Sequence, residues 1–419
     1  MINPNLTILQ GDVIEQLRTL SDESVQCCVT SPPYYGLRSY LGADDPAKAL
    51  EIGAEETPQA YVDRMVAVFR EVRRVLRADG VLWLNLGDSF ARAGGTDRKP
   101  SATAQVGNTQ RTLNQMVSRN QRVPDGVKIK DLLMIPSRVA MALQADGWYL
   151  RASCPWIKRN AMPESVRDRP ATTIETIFLL AKGPRYYYDA EAVKVTSSAN
   201  PISAARRNRQ DFGSVGTEGL KGDGRFGQSG QGENAKYKTP TRTRRSSDWF
   251  FESWQGMLQD EEGDPLAFVV NTKPYRAAHF ATFPVDLVEP MVKAGTSAHG
   301  CCPECGAPFR RVFERTAEVN PSAKGSRFDA GKTGDRDGGE RTQQGERYLT
   351  RAVGWKQDCD CATYTPVPCT VLDPFGGSGT TGQVALEQGC RAILIELNAA
   401  YIPLIQQRCG VQPEAEKAA

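Results

Sequence analysis

Val371-Leu372-Asp373-Pro374-Phe375-Gly376-Gly377-Ser378-Gly379-Thr380-Thr381 leaves an apolar run and enters a segment with helical spacing of its apolar residues. Three glycines let backbone come close to a ligand and keep side chains out of its way. The amides of the following helix N-terminus then face whatever is bound. A phosphate-binding loop needs a Lys after its last Gly, and Thr380 and Thr381 stand there instead; the GxGxxG dinucleotide spacing is also missing. Ala392 to Ile395 reads as the next strand and is closed by Glu396. An acid about 20 residues beyond such a loop is placed to bind ribose hydroxyls. Strand, Gly-rich loop, helix, strand and acid make a nucleoside-binding unit without a phosphate site.

A second stretch lies far upstream. Ser24 to Val29 reads as a buried strand, and Thr30-Ser31-Pro32-Pro33-Tyr34 follows it. Two successive prolines remove two backbone donors and hold the chain extended. The carbonyls of Ser31 and Pro32 are thereby free to face a ligand, and Tyr34 supplies a flat surface beside them. The group is a clamp for a planar ring bearing an exocyclic amine.

Around these stretches the chain alternates helix with strand, the pattern of a parallel sheet. Leu6 to Leu9 reads as a strand ending in Gln10-Gly11-Asp12, and Val13 to Leu20 as a helix. Tyr61 to Leu76 has amphipathic helical spacing and stops at Asp79-Gly80, before a buried strand Val81 to Leu86. Ile135 to Ala145 is a helix, Trp148 to Ile157 and Thr173 to Ala181 are strands, and Val285 to Lys293 is a helix. Residues 91 to 130 are polar and predict a mobile loop, and Lys158 to Pro170 a loop at the sheet edge. From Pro201 to Ser247, ten Lys or Arg stand against four acids among frequent glycines, so this stretch builds no core by itself. It reads either as a surface loop or as a basic segment that orders on a phosphate backbone, with Trp249, Phe250, Phe251 and Trp254 as an anchor.

The formal net charge of +3 over 419 residues makes any nucleic-acid surface local. No long apolar run suggests a membrane span, and the first residues lack a signal sequence, so the expectation is a cytoplasmic protein. Structural disulfides are not expected of its eleven cysteines.

Asp373 to Thr381 together with the upstream Thr-Ser-Pro-Pro-Tyr resembles the S-adenosylmethionine-dependent DNA amino-methyltransferases, the cytosine-N4 and adenine-N6 family. The order, clamp first and Gly-rich loop last, is that of the permuted β class. The resemblance covers residues 6 to 90, 131 to 190, 275 to 297 and 369 to 408. It implies a Rossmann-like α/β fold with a mostly parallel twisted sheet flanked by helices, plus an inserted basic target-recognition region; a small zinc-type cysteine insert is expected in addition, from this chain's own cysteines. The implied organisation is a catalytic domain in two parts, 1–190 and 369–410, around a recognition region at 191–274. A cofactor-covering segment at 275–297 and the cysteine insert at 298–368 follow, with a disordered tail at 411–419.

The resemblance also implies roles. Thr30, Asp373, Pro374, Phe375, Gly376, Gly377, Ser378, Gly379, Thr380 and Thr381 surround S-adenosylmethionine, and Glu396 takes its ribose hydroxyls. Asp12 accepts from the adenine amine of the cofactor, and Phe280, Phe283 and Pro284 cover it. Ser31, Pro32, Pro33 and Tyr34 receive the target base of duplex DNA after it leaves the helix. Ser at the first clamp position favours cytosine N4 over adenine N6. A cytosine-C5 mechanism needs a Cys nucleophile after Pro with a following Gln, and Pro368-Cys369-Thr370 does not match. A zinc-bearing DNA-binding protein without catalysis, and an RNA or protein methyltransferase, are the competing readings. A cognate restriction enzyme and the oligomeric state stay open.

Ser297 to Pro368 interrupts the family pattern. It holds Cys302-Pro-Glu-Cys305-Gly and Cys359-Asp-Cys361, four thiolates able to complete a closed tetrahedral zinc site, with Cys301 as a substitute ligand. Its job is either DNA contact or tying down a loop.

Overall fold

A computed structural model describes residues 3–37, 39–42, 44–91, 126–158, 168–170, 172–193, 268–270, 283–319, 348–362 and 365–410. Most of the polar stretch at 91–130, the basic stretch at 201–247 with its aromatic anchor, part of the 158–170 loop, Phe280 and the tail lie outside the described residues. The chain forms two compact units, residues 1–296 with 370–419, and residues 297–369.

In chain order the strands are β1 (Leu6–Gln10), β2 (Val25–Thr30), β3 (Leu76–Leu86), β4 (Tyr149–Ile157), β5 (Ile174–Ala181), β6 (Phe268–Val269), β7 (Arg310–Val319), β8 (Tyr348–Lys356), β9 (Thr370–Asp373) and β10 (Arg391–Glu396). Helices are α1 (Val13–Arg18), α2 (Pro58–Val75), α3 (Ile135–Ala145), α4 (Val285–Gly295), α5 (Thr380–Glu387) and α6 (Ile402–Arg408). Among the described residues the first unit carries one sheet in the order β1-β10-β9-β2-β3-β5-β4-β6. The run from β1 to β3 is parallel throughout.

Every residue of β2 is buried, as expected of a strand covered on both faces. Cys28 faces the core made with α1, α2 and α3, and its neighbour Cys27 faces α4 on the opposite side. Helix α2 shows why one face is enough to dock it. Thr57 caps its N-terminus by accepting from the Ala60 amide, and Pro58 starts the first turn. Tyr61, Met65, Val68, Phe69 and Val72 then fall on one stripe and are fully buried. Each such side chain contributes about 1.5–3 kcal/mol by leaving water, before ordering entropy is counted. Leu394 and Ile405 form a smaller core under α6.

Two features depart from the sequence reading. Helix α2 stops at Val75 and β3 begins at once with Leu76, which pairs with Val25. Asp79-Gly80 therefore lies inside the strand, beside a register shift between Val25 and Cys27, and does not end the helix. Secondly, β5 runs antiparallel to both β3 and β4. The sheet is mixed, with a parallel centre and an antiparallel flank. That flank matters for the site, because it turns the start of β5 toward the carboxyl ends of β3 and β4.

The second unit is built on an antiparallel ribbon of β7 and β8, in which Arg310 pairs with Lys356. No described helix is long and apolar enough to cross a membrane.

Candidate active site

The strand order reverses at the centre of the sheet, between β9 and β2, which run parallel. From β9 the chain crosses through α5 to β10 on one side, and from β2 it crosses through α2 to β3 on the other. Ligands of open α/β sheets bind at the carboxyl ends of strands where the order reverses. The loops that leave β2 and β9 are the proline clamp and the Gly-rich loop, and Cys28 pairs with Leu372 just below them. The Thr30 hydroxyl donates to Asp373 Oδ1 at 2.7 Å. Both residues are buried. Ser31, Pro32, Pro33, Tyr34, Asp373 to Ser378, Thr380, Thr381, Glu396 and Phe283 all line one cavity of about 760 Å³.

The Gly-rich loop behaves as its composition predicts. Gly379, at φ +84°, is the residue before α5, and a Cβ there would sit 3.1 Å from the Ile405 backbone. A side chain at Gly376 would press on Leu394 and the Ile395 carbonyl. The Gly377 amide donates to Glu396 Oε2 and the Asn398 amide to Oε1, both at 2.8 Å. Burial outweighs these amides and pushes the Glu396 carboxyl up to about 7. Asp373 is also raised by burial, against donors from Thr30, the Phe375 amide and Thr381. Thr380 Oγ1 is buried with no hydrogen-bond partner among the described residues. Arg408 donates to the Ser378 hydroxyl at 2.6 Å. Pro284 is the residue before α4.

Asp12 stands apart from this group. Its Oδ1 accepts from the amides of Ile14 and Glu15 and so caps α1, while Arg64 lies 3.8 Å from Oδ2. Asp12 is brought to the rim beside Glu396, because the Gly11 amide donates to the Glu396 carbonyl, but it does not line the cavity.

In the clamp, the Tyr61 hydroxyl donates to the Pro33 carbonyl at 2.9 Å and pins the backbone. The Tyr34 hydroxyl donates to Glu175 Oε2 at 2.6 Å and lies 3.3 Å from Ser31 Oγ. Asn85 Nδ2 donates to Tyr34 Oη at 2.7 Å, to Glu175 Oε2 at 2.9 Å and to Ser31 Oγ at 3.3 Å. Lys158 pairs with Glu175 Oε1, and its ammonium stands 4.1 Å from the Trp156 ring centroid. Burial first, then the charge of Glu175, holds the Tyr34 hydroxyl well above its ordinary pKa. Gly87 fits under the ring: a Cβ there would meet Tyr34 Cε2 at 2.5 Å. Asn85 Oδ1 is buried and has no partner among the described residues.

The family model described as a DNA methylase, N6_N4_Mtase, matches residues 25–302 and 363–407. The chain belongs to the N6/N4 DNA methylase family. It is 31% identical to the Type II methyltransferase M.Cfr9I of Citrobacter freundii over 96% of this chain and 87% of that one. It is 42% identical to the Type II methyltransferase M.SmaI of Serratia marcescens over 51% of this chain and 68% of the other. Among solved structures it is similar to the cytosine-N4-specific PvuII DNA methyltransferase, at 14% identity and a TM-score of 0.44, over 97% of this chain and 88% of that one. That likeness is too loose to bear on the target base.

This methylase carries a second cluster, in its second unit. The Sγ atoms of Cys302, Cys305, Cys359 and Cys361 all lie within 4.8 Å of one another. The register of β7 with β8 brings the two cysteine pairs to the same end of the ribbon. Burial raises the Cys302 thiol, but the amides of Cys305 and Glu304, with the thiols of Cys359 and Cys305, bring it down to about 7. Cys301 is not a member: its backbone bonds with Val367 and its thiol donates to the Pro368 carbonyl.

Sequence reasoning missed Asn85, Gly87, Lys158 and Glu175. The available signal was a polar residue inside an apolar strand, Asn85 in β3 and Glu175 in β5, since such residues stay buried only with partners. Thr30→Val should remove the hydroxyl that serves Asp373 and lower unfolding free energy by about 1–3 kcal/mol. Urea denaturation at constant m-value checks it, and an unchanged midpoint would show that the two loops do not depend on this bond.

Proposed function

We propose that this chain is a site-specific Type II DNA methyltransferase that moves a methyl group from S-adenosylmethionine to the N4 amine of a flipped-out cytosine. The observation that carries the reading is the Thr30–Asp373 hydrogen bond, through which the clamp and the Gly-rich loop open on one cavity. The Type II reading and a cognate restriction enzyme as companion rest on relatives of that description, one of them spanned over 87% of its length.

The residues present suit the cofactor. Glu396 offers a carboxylate for vicinal hydroxyls, Thr380 Oγ1 is an unpaired buried group, and the loop has no Lys for a phosphate. Phe283 lies at the cavity wall with Pro284 next to it in sequence, and the carboxylates of Asp373 and Glu396 in the same wall favour a cation. When bound, the cofactor supplies a methyl group on a positively charged sulfur. An exocyclic amine is a weak nucleophile because its lone pair is delocalised into the ring. Acceptors at Ser31 Oγ and the Pro32 carbonyl hold both amine hydrogens and favour a pyramidal nitrogen. Tyr34 fixes the ring by stacking. Rate acceleration then comes from positioning and from fixed dipoles, and no covalent enzyme intermediate is required. Extruding the base costs a few kcal/mol, offset by contacts to the unpaired edge. Serine at the first clamp position is the feature that favours cytosine.

The second unit is read as a zinc site of the structural kind. About 2.3 Å for each Zn–S bond puts tetrahedral sulfurs roughly 3.8 Å apart, which the four thiols can adopt with small side-chain shifts.

Mass spectrometry of nucleosides from DNA treated with the protein should show N4-methylcytosine. N6-methyladenine would replace cytosine with adenine in this account, and absence of any methylated base would end it. Glu396, with its carboxyl near 7, is protonated in the free protein at lower pH and loses acceptor strength. Between about pH 8 and pH 6 the affinity for S-adenosylmethionine should therefore fall by about tenfold, and Glu396→Gln should flatten that dependence. Calorimetry reads both; an equal slope in the variant would remove Glu396 from the ribose. Elemental analysis should find about one zinc per chain, lost in Cys302→Ser.

A further inference from the structure

We propose that Ser31, Tyr34 and Glu175 form a proton relay that removes the proton the target amine must lose on methylation. The inference rests on the methyltransferase reading above and deepens it. When a methyl carbon leaves the sulfonium sulfur and bonds to the amine nitrogen, that nitrogen becomes cationic and has one hydrogen too many. One N–H points at Ser31 Oγ in the proposed clamp. The proton passes to Ser31 Oγ as the Ser31 hydroxyl proton passes to Tyr34 Oη and the Tyr34 proton to Glu175 Oε2. One N–H bond breaks, one carboxyl O–H bond forms, and the two hydroxyls end as they began. The cation is discharged without an ionised serine or tyrosine.

The geometry supports each link. Tyr34 donates to Glu175 at 2.6 Å, a short and charge-assisted contact. Ser31 and Tyr34 oxygens are 3.3 Å apart, which is long for a hydroxyl pair but usual for a catalytic contact before substrate binds. Asn85 Nδ2 donates to the oxygens of Ser31, Tyr34 and Glu175 and accepts from none of them. It thus turns the Ser31 hydroxyl hydrogen toward Tyr34 and leaves an oxygen lone pair for the amine. Tyr34 is buried beside a carboxylate, so its hydroxyl stays protonated and gives up a proton only as it gains one. Glu175 keeps its place through Lys158, and the pair lies at the cavity wall with side chains about 14% and 16% exposed. A buried carboxylate is expensive to keep, and a purely structural clamp would not need one.

Tyr34→Phe is the decisive variant, since it keeps the ring for stacking and cuts the relay. In single turnover with DNA and S-adenosylmethionine, its methyl-transfer rate should fall by about a hundredfold, and that of Glu175→Gln similarly. Because both interrupt one chain, the double variant should be no slower than either alone by more than a few-fold. Cofactor affinity by calorimetry should be unchanged in all three, which also reports that they are folded. A Tyr34→Phe protein that transfers methyl at the wild-type rate overturns the relay while leaving the methyltransferase reading intact. Multiplicative losses in the double variant also overturn it. A wild-type protein that methylates no base overturns both.

Discussion

Thr30 and Asp373 stand 343 positions apart, yet a 2.7 Å hydrogen bond joins them in the middle of the sheet. Both residues are buried, so the carboxylate rests mainly on protein donors, and burial already raises its pKa. Low local dielectric makes such a bond strong when made and its loss costly. Its partners are the last residues of β2 and β9, so it fixes the distance between the loops that follow those strands. The register of β2 with β9 brings the strand ends level. The hydrogen bond then couples the proline clamp to the Gly-rich loop. Everything proposed for catalysis requires those loops to share one cavity.

The antiparallel flank supplies what the parallel centre lacks. In a wholly parallel sheet the start of β5 would lie at the far edge, away from the clamp. Reversed, it pairs Leu86 with Thr176 and Trp156 with Glu175, so Glu175 and Lys158 arrive beside Ser31 and Asn85. A charged pair in this position costs more to bury than it returns unless it is well bonded. Here Tyr34, Asn85 and Lys158 bond to both carboxylate oxygens. The same economy of placement holds in the second unit, where a two-stranded ribbon closes four thiols from residues more than 50 positions apart.

The motifs that could be read from sequence are local ones. Asp373 to Thr381 is a strand, a turn and a helix start in eleven residues, and its glycines sit where backbone and packing demand them. Helix α3 begins and ends where its apolar spacing says, because one stripe suffices to define it. Asn85, Glu175 and Lys158 are single polar residues with no local pattern, and only the reversed β5 gives them a purpose. Asp12 is ambiguous for a related reason. An aspartate after a strand suits a ligand or a helix N-cap equally, and in this chain Oδ1 is committed to the first turn of α1. Cys301 was separable from its neighbours only through the backbone pairing with Val367.

The measurement that bears most directly on the shared cavity is a structure of the protein with duplex DNA and an unreactive S-adenosylmethionine analogue. The account predicts one cytosine outside the helix, its amine within hydrogen-bond reach of Ser31 Oγ and the Pro32 carbonyl, and its ring on Tyr34. Ribose hydroxyls should rest on Glu396, with the donor atom about 3–3.5 Å from the amine. A cofactor seated away from the Gly-rich loop, or an extruded base that does not meet Ser31 and Tyr34, would contradict it.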